Sequence, residues 1–111
     1  MPEADFSVAR ITPRFAFVAE AEVTGLLGGM SVVARISELS SRGCYVDTIN
    51  PFPLGEELRF HIRYGCSTCE LSGKVIYTHS GYGMGVLFGG ISGENRAILD
   101  AWLDELTRKS G

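Results

Sequence analysis

From Phe15 the residues Phe15, Phe17, Ala19, Ala21 and Val23 alternate with Ala16, Val18, Glu20 and Glu22, the period of two expected of a strand with one face in a core. Gly25, Gly28 and Gly29 then close a turn. Ser31 to Ser37 reads as a second strand, and the Ser40 to Gly43 loop leads into a third at Cys44 to Thr48. The run Asn50-Pro51-Phe52-Pro53-Leu54-Gly55 is a loop, because its two prolines would remove ladder donors from a central strand. Leu58, Phe60, Ile62 and Tyr64 alternate with Arg59, His61 and Arg63, which places the aromatic and aliphatic groups inside and the basic groups in water. Gly65-Cys66-Ser67 turns the chain into Leu71 to Thr78, and Ser80-Gly81-Tyr82-Gly83 turns it again into Met84 to Phe88.

The tail changes period. Ile98, Leu99, Trp102, Leu103 and Leu106 recur at three and four, which predicts a helix over about 92–109. Ser92 is a good N-cap, Glu94 suits the positive end, Arg108 and Lys109 suit the C-terminal end, and Gly111 stops it. The helix must bury its stripe on the sheet. Six antiparallel strands of this pattern close into a small all-β barrel, since closure removes exposed edges, with the C-terminal α-helix docked outside or across an open end.

Composition agrees with one folded body. The chain has 111 residues, 45% hydrophobic and 21% charged, which excludes a multi-domain enzyme with separate cofactor and substrate domains. Residues 1–14 read as a flexible N-terminal arm and 15–111 as the domain. A net charge of −3 lacks the field that polymeric nucleic acid requires, so an anionic partner must be small and locally held. No stretch approaches the roughly 20 apolar residues of a membrane helix, and the start resembles no signal peptide, so the expected location is cytoplasmic, without membrane insertion. Three cysteines cannot all pair within one chain, so reduced thiols are expected.

Two short segments could carry chemistry. In Arg10-Ile11-Thr12-Pro13-Arg14, Pro13 disfavours a helical Thr12, so the segment is extended or turned. Residues four apart then face the same way, at most about 13 Å apart at roughly 3.3 Å per residue. Each guanidinium is a planar fork that matches phosphate oxygens and stacks on a base, so the pair forms a clamp for something anionic and flat. In Glu38-Leu39-Ser40-Ser41-Arg42-Gly43, a carboxylate can accept from the Watson–Crick edge of guanine, and a hydroxyl can donate or accept. Gly43 allows a backbone path closed to other residues. Arg42 could pair with Glu38 or add a phosphate contact. By themselves these are also the features of a solvated arm and an ordinary turn.

Together, in this order, they resemble the PilZ family of bacterial cyclic di-GMP receptors. Arg10 and Arg14 match the family's two arginines with three residues between them, just before its first barrel strand. Glu38, Ser40 and Gly43 match its Asp or Asn, Ser and Gly, with Glu in the first place as a departure. Leu54-Gly55-Glu56-Glu57-Leu58, Gly73-Lys74-Val75 and Gly85-Val86-Leu87-Phe88 resemble the family's framework, so the likeness spans nearly the whole chain. The resemblance implies a six-stranded split barrel whose rim and arginine arm hold the dinucleotide through Arg10, Arg14, Glu38, Ser40, Gly43 and Arg42. It further implies a monomeric or homodimeric adaptor that changes its surface for an unidentified protein partner. The alternative is a degenerate module of the same fold that acts by protein contact and does not bind the dinucleotide.

No enzyme is legible, because His61 and His79 lack a carboxylate at a suggestive spacing and Ser40 lacks a nearby base. No cofactor is implied beyond the ligand itself. A further rival is a zinc or redox site at Cys66-Ser67-Thr68-Cys69, with His61 and His79 on the flanking strands. A zinc site needs four ligands on one spot, and there is no second cysteine pair.

Overall fold

The computed structural model describes residues 13–110. Six strands and one helix follow each other as β1 (Phe15–Gly25), β2 (Ser31–Leu39), β3 (Gly43–Asp47), β4 (Glu57–Tyr64), β5 (Ser67–His79), β6 (Gly83–Phe88) and α1 (Gly93–Ser110). The strands close into a barrel in the order β1-β2-β3-β6-β5-β4, every neighbouring pair antiparallel. Closure needs no long crossover because only the β3–β4 loop crosses the barrel end. There Phe52, buried between two prolines, fills the opening.

Period-two burial accounts for most of this wall. Phe17, Ala19, Ala21 and Val23 of β1 and Leu58, Phe60 and Ile62 of β4 face inward, while their alternates face out. Each large side chain so buried contributes about 1.5–3 kcal/mol by removal from water, and Phe60 and Ile62 are fully enclosed.

Three register shifts interrupt the pattern. Between Ala16 and Ala19 two residues of β1 oppose one of β2, Ser37 is an extra residue of β2 against β3, and Ile76 is an extra residue of β5 against β6. The Ser37 bulge explains why β2 runs on to Leu39 and does not end at Ser37: Ile36 and Leu39 are both buried, three residues apart, a spacing that breaks strict alternation. Likewise β5 begins at Ser67, four residues before the expected Leu71, because Cys69 continues the inward series Leu71, Gly73 and Val75.

The first half of β5 lies beyond the end of β6, and α1 covers its open edge. Asn95 accepts the Glu70 N–H at 2.8 Å through Oδ1, and its Nδ2 donates to the Ser92 hydroxyl at 2.9 Å. Farther along, Leu99, Trp102 and Leu106 are buried, and Trp102 meets Phe17 at 5.7 Å and Tyr64 at 5.4 Å between ring centroids. The Phe17 and Tyr64 rings themselves lie 4.5 Å apart. Such ring pairs add about 0.5–1.5 kcal/mol beyond the area they bury. The helix thus closes one end of the barrel, beside the start of β1 and the Arg14 that precedes it. Among the described residues no helix is long and apolar enough to cross a membrane.

Candidate ligand cleft

The β2–β3 turn is organised by one side chain. Ser40 is buried, 8% exposed, and its hydroxyl accepts the N–H groups of Arg42 at 3.2 Å and Gly43 at 3.1 Å. The same hydroxyl donates to the Gly43 carbonyl at 3.2 Å, which also takes the Ser40 N–H at 2.9 Å. Its single proton is therefore committed to the turn, and Ser40 acts on any ligand by shaping the loop. Gly43 has an ordinary φ, so the expected special backbone path is not what demands glycine here. Space is the reason: a Cβ at Gly43 would run into the Val86 carbonyl oxygen of β6.

Beyond the turn, β3, β6 and the end of β5 present an unusual outer surface. Gly83 and Gly85 leave the β6 face bare, and rings lie over the gaps, Tyr45 against Gly83 and Tyr77 against Gly85. Strict alternation from Val75 would turn Tyr77 into the barrel. The Ile76 bulge turns it outward, so Ile76 and Tyr77 both line the outer surface. Tyr45, Tyr77 and His79 cluster with centroids 5.2–6.2 Å apart, and the Tyr45 hydroxyl and His79 Nδ1 share a hydrogen bond of 2.9 Å.

Between this surface and the turn is an open cleft of about 370 Å³, walled by Arg14, Glu38, Ser40, Arg42, Tyr77 and Leu87. The Arg14 guanidinium reaches in from the chain before β1, its Nη1 3.5 Å from Glu38 Oε1, with both side chains about half exposed. Burial raises the pKa of the Tyr77 hydroxyl, while the charge of Arg14 and its hydrogen bond to Tyr77 pull it down and the charge of Glu38 raises it. Burial also raises Tyr45. Cys44, under the turn, is pushed far up by burial and is a core thiol. With two guanidiniums, a carboxylate acceptor and an aromatic face, the cleft suits a flat anionic molecule with N–H groups along one edge.

Five residues singled out in the sequence, Arg14, Glu38, Ser40, Arg42 and Gly43, line this one cleft. Arg10 lies outside the described residues. Sequence reasoning missed Tyr45, Ile76, Tyr77, Gly85 and Leu87, which also line it. A signal existed in the ladder, where Gly85 faces Tyr45 on one side and Tyr77 on the other, but it becomes visible only with the register.

The cysteine pair is arranged differently from a metal knuckle. Cys66 is exposed on the β4–β5 turn, whereas Cys69 points into the barrel, where its thiol donates to the Asn95 carbonyl at 3.4 Å. Burial pushes Cys69 up to about 11, so at neutral pH it is a thiol and a poor metal ligand. His61 pairs with Glu70 at 3.2 Å, and His79 with Tyr45. Among the described residues no group of three His, Cys, Asp or Glu side chains could hold a metal ion.

The family model described as PilZ domain matches residues 9–105. Among solved structures, the PilZ domain of CeSA from a cellulose-synthesizing bacterium superimposes with a TM-score of 0.69 at 16% identity, over 86% of this chain and 98% of that one. The PilZ domain with c-di-GMP of YcgR from Escherichia coli gives 0.73 at 13% identity, over 89% and 92%. The inhibitor of motility MotI/DgrA of Bacillus subtilis gives 0.71 at 17% identity, over 89% of this chain and 49% of that protein. The search of curated proteins gives no match.

Proposed function

The chain belongs to the PilZ domain family, and on that premise we propose that it is a cyclic di-GMP receptor that acts as an adaptor rather than as an enzyme. The observation that carries this reading is that Arg14 and the Tyr77 ring, from distant parts of the sequence, meet the turn of Glu38, Ser40, Arg42 and Gly43 around one cleft. The ligand is a dianion that carries two planar guanines. Arg14 and Arg42 supply charge-assisted donors to phosphate, Glu38 accepts from the guanine edge, and Tyr77 offers a stacking face. Arg10 completes the clamp from the N-terminal arm. Ligand contacts then offset the cost of fixing the arm, about 1–2 kcal/mol per residue, and the closed arm presents a new surface to a partner in the bacterial cytoplasm.

Titration calorimetry of the purified chain with cyclic di-GMP tests this directly. Saturable heat is expected, and Arg14→Ala should weaken binding by about 1.5–3 kcal/mol, roughly 10- to 150-fold, through loss of charge-assisted bonds. One observation favours a second reading, a module that has lost the ligand: Glu38 already pairs with Arg14, placing a carboxylate where the ligand's charge would go. Absence of both heat and chemical shift changes at high micromolar ligand would decide for that reading.

A further inference from the structure

His79 stands outside the cleft lining, yet it touches two residues that belong to it, Tyr45 and Tyr77. In the β3–β6–β5 ladder Gly83 lies between Asp47 and His79, and Gly85 lies between Tyr45 and Tyr77. Tyr45 and His79 therefore stand on strands two apart, with β6 between them. The Tyr45 ring leans over Gly83, where a Cβ would collide with it, and its hydroxyl shares the 2.9 Å hydrogen bond with His79 Nδ1. A side chain at position 83 would close this route, so the bridge across β6 depends on glycine at the crossing point.

The far end of the bridge is fixed by the backbone. His79 ends β5, its carbonyl takes the Tyr82 N–H at 2.9 Å, and the Tyr82 carbonyl takes the Thr48 N–H at 3.0 Å. The imidazole also lies 5.2 Å from the Tyr77 ring and 5.8 Å from the Tyr45 ring between centroids. Protonation leaves the bridge in place: a neutral imidazole accepts from the phenol at Nδ1, and an imidazolium donates to the phenol oxygen from the same atom. On its other side Tyr45 borders the open cleft. The staggered alternatives about its Cα–Cβ bond would carry the ring into that space once the hydroxyl is released.

We propose that His79 is a positioning residue for ligand binding, which holds the Tyr45 hydroxyl across Gly83, backs the Tyr77 ring, and so keeps the Tyr45 phenol from swinging into the cleft. The effect on affinity rests on the dinucleotide reading above, whereas the placement of Tyr45 does not.

Through-space proton NMR contacts of the Tyr45 ring, measured in the full chain without ligand, test the placement. The ring should meet the Gly83 α protons in the parent, and in His79→Ala it should lose them and gain contacts to Leu87 on the cleft side. Gly83 contacts retained in His79→Ala overturn the proposal, whether or not the dinucleotide binds. His79→Asn sets an amide oxygen close to where Nδ1 stood and should restore the Gly83 contacts, whereas His79→Phe keeps a ring without an acceptor and should not. Rescue by Phe and not by Asn would put the effect in ring packing and overturn the bridge.

Calorimetry with cyclic di-GMP tests the consequence. His79→Ala should bind about fivefold more weakly, the worth of one net hydrogen bond, and His79→Asn should bind like the parent. In a Tyr45→Ala background there is no phenol to swing inward, so adding His79→Ala should leave affinity unchanged. A fivefold loss in that background would show that His79 acts by another route and overturn its positioning role. A parent that binds no dinucleotide refutes the receptor reading alone, and the NMR contacts still decide where His79 holds Tyr45.

Discussion

Two walls of the barrel show what the chain spends regular sequence on and what it spends irregular sequence on. Along β1, β4 and the first half of β5 the register runs without a shift between β1 and β4 or between β4 and β5. Outward residues there form rows, Glu20 opposite Arg63, Glu22 opposite His61 and His61 opposite Glu70. The cleft wall of β3, β6 and the end of β5 has glycines where such side chains would stand, a bulge at Ile76, and rings laid over the bare backbone. The first wall solves only burial and solubility. The second gives up local regularity to make a concave surface, and that loss of β propensity coincides with the cleft we propose for the ligand.

The sharpest break of this comparison is Gly43→Ala. Its methyl would press on the Val86 carbonyl, a backbone atom held in the β3–β6 ladder that cannot swing aside as a side chain can. We expect a loss of about 2–3 kcal/mol, roughly 8–15 °C in Tm, measured by thermal or urea unfolding. Gly90→Ala is the control, because nothing lies within 4 Å of a Cβ there and it should change stability by less than about 0.5 kcal/mol. Equal effects at the two positions would refute a packing role for Gly43.

The same contrast explains what the sequence revealed. On the regular wall, alternation in Phe15–Val23 and Leu58–Tyr64 gave strand, face and partner type directly, and the three-and-four spacing of Leu99, Trp102 and Leu106 gave the helix and its buried side. The candidate cleft was legible where its residues have distinctive chemistry, as with Arg14, Glu38 and Arg42. Tyr77 escaped because its direction depends on a one-residue slip at Ile76, and period-two reasoning has no means to detect a slip until the partner strand is known. Ser40 was legible by position but not by role, since whether a hydroxyl faces a ligand or its own loop depends on three backbone groups brought around it by the turn. Cys69 misled in the opposite direction, its chemistry obscuring an ordinary place in the inward series of β5.

A smaller effect sharpens the comparison through the ion pairs. On the cleft side Glu38 and Arg14 are paired at 3.5 Å in a site we assign to a dianion, so that pair competes with the ligand. Glu38→Asp withdraws the carboxylate by about one methylene, roughly 1.5 Å, while the turn around Ser40 and Gly43 holds the backbone in place. Cyclic di-GMP should then bind tighter by about 1.4 kcal/mol, a factor of about ten, in calorimetry at fixed salt. Weaker binding by the Asp variant would refute this competition and mean that Glu38 makes a ligand contact specific to its own length.

The smallest expected effect belongs to the other wall. Arg63 and Glu20 are bonded at 2.9 Å, shorter than the Arg14–Glu38 pair, yet both side chains are more than half exposed. Water and salt screen such a pair, and fixing two long side chains costs rotamer freedom, so its geometry overstates its worth. Arg63→Ala should lower stability by about 0.2–1 kcal/mol, the loss shrinking as salt is raised, and should leave the dinucleotide's dissociation constant unchanged. A loss above about 2 kcal/mol would show that the stem of Arg63 covers apolar surface near Val18 and Tyr64, with which it lines a shallow groove, and that packing rather than charge holds it there. Arg63→Met separates the two causes, because it keeps the apolar stem and removes the charge. Recovery in the Met variant would assign the effect to packing, and equal loss in both variants would assign it to the ion pair.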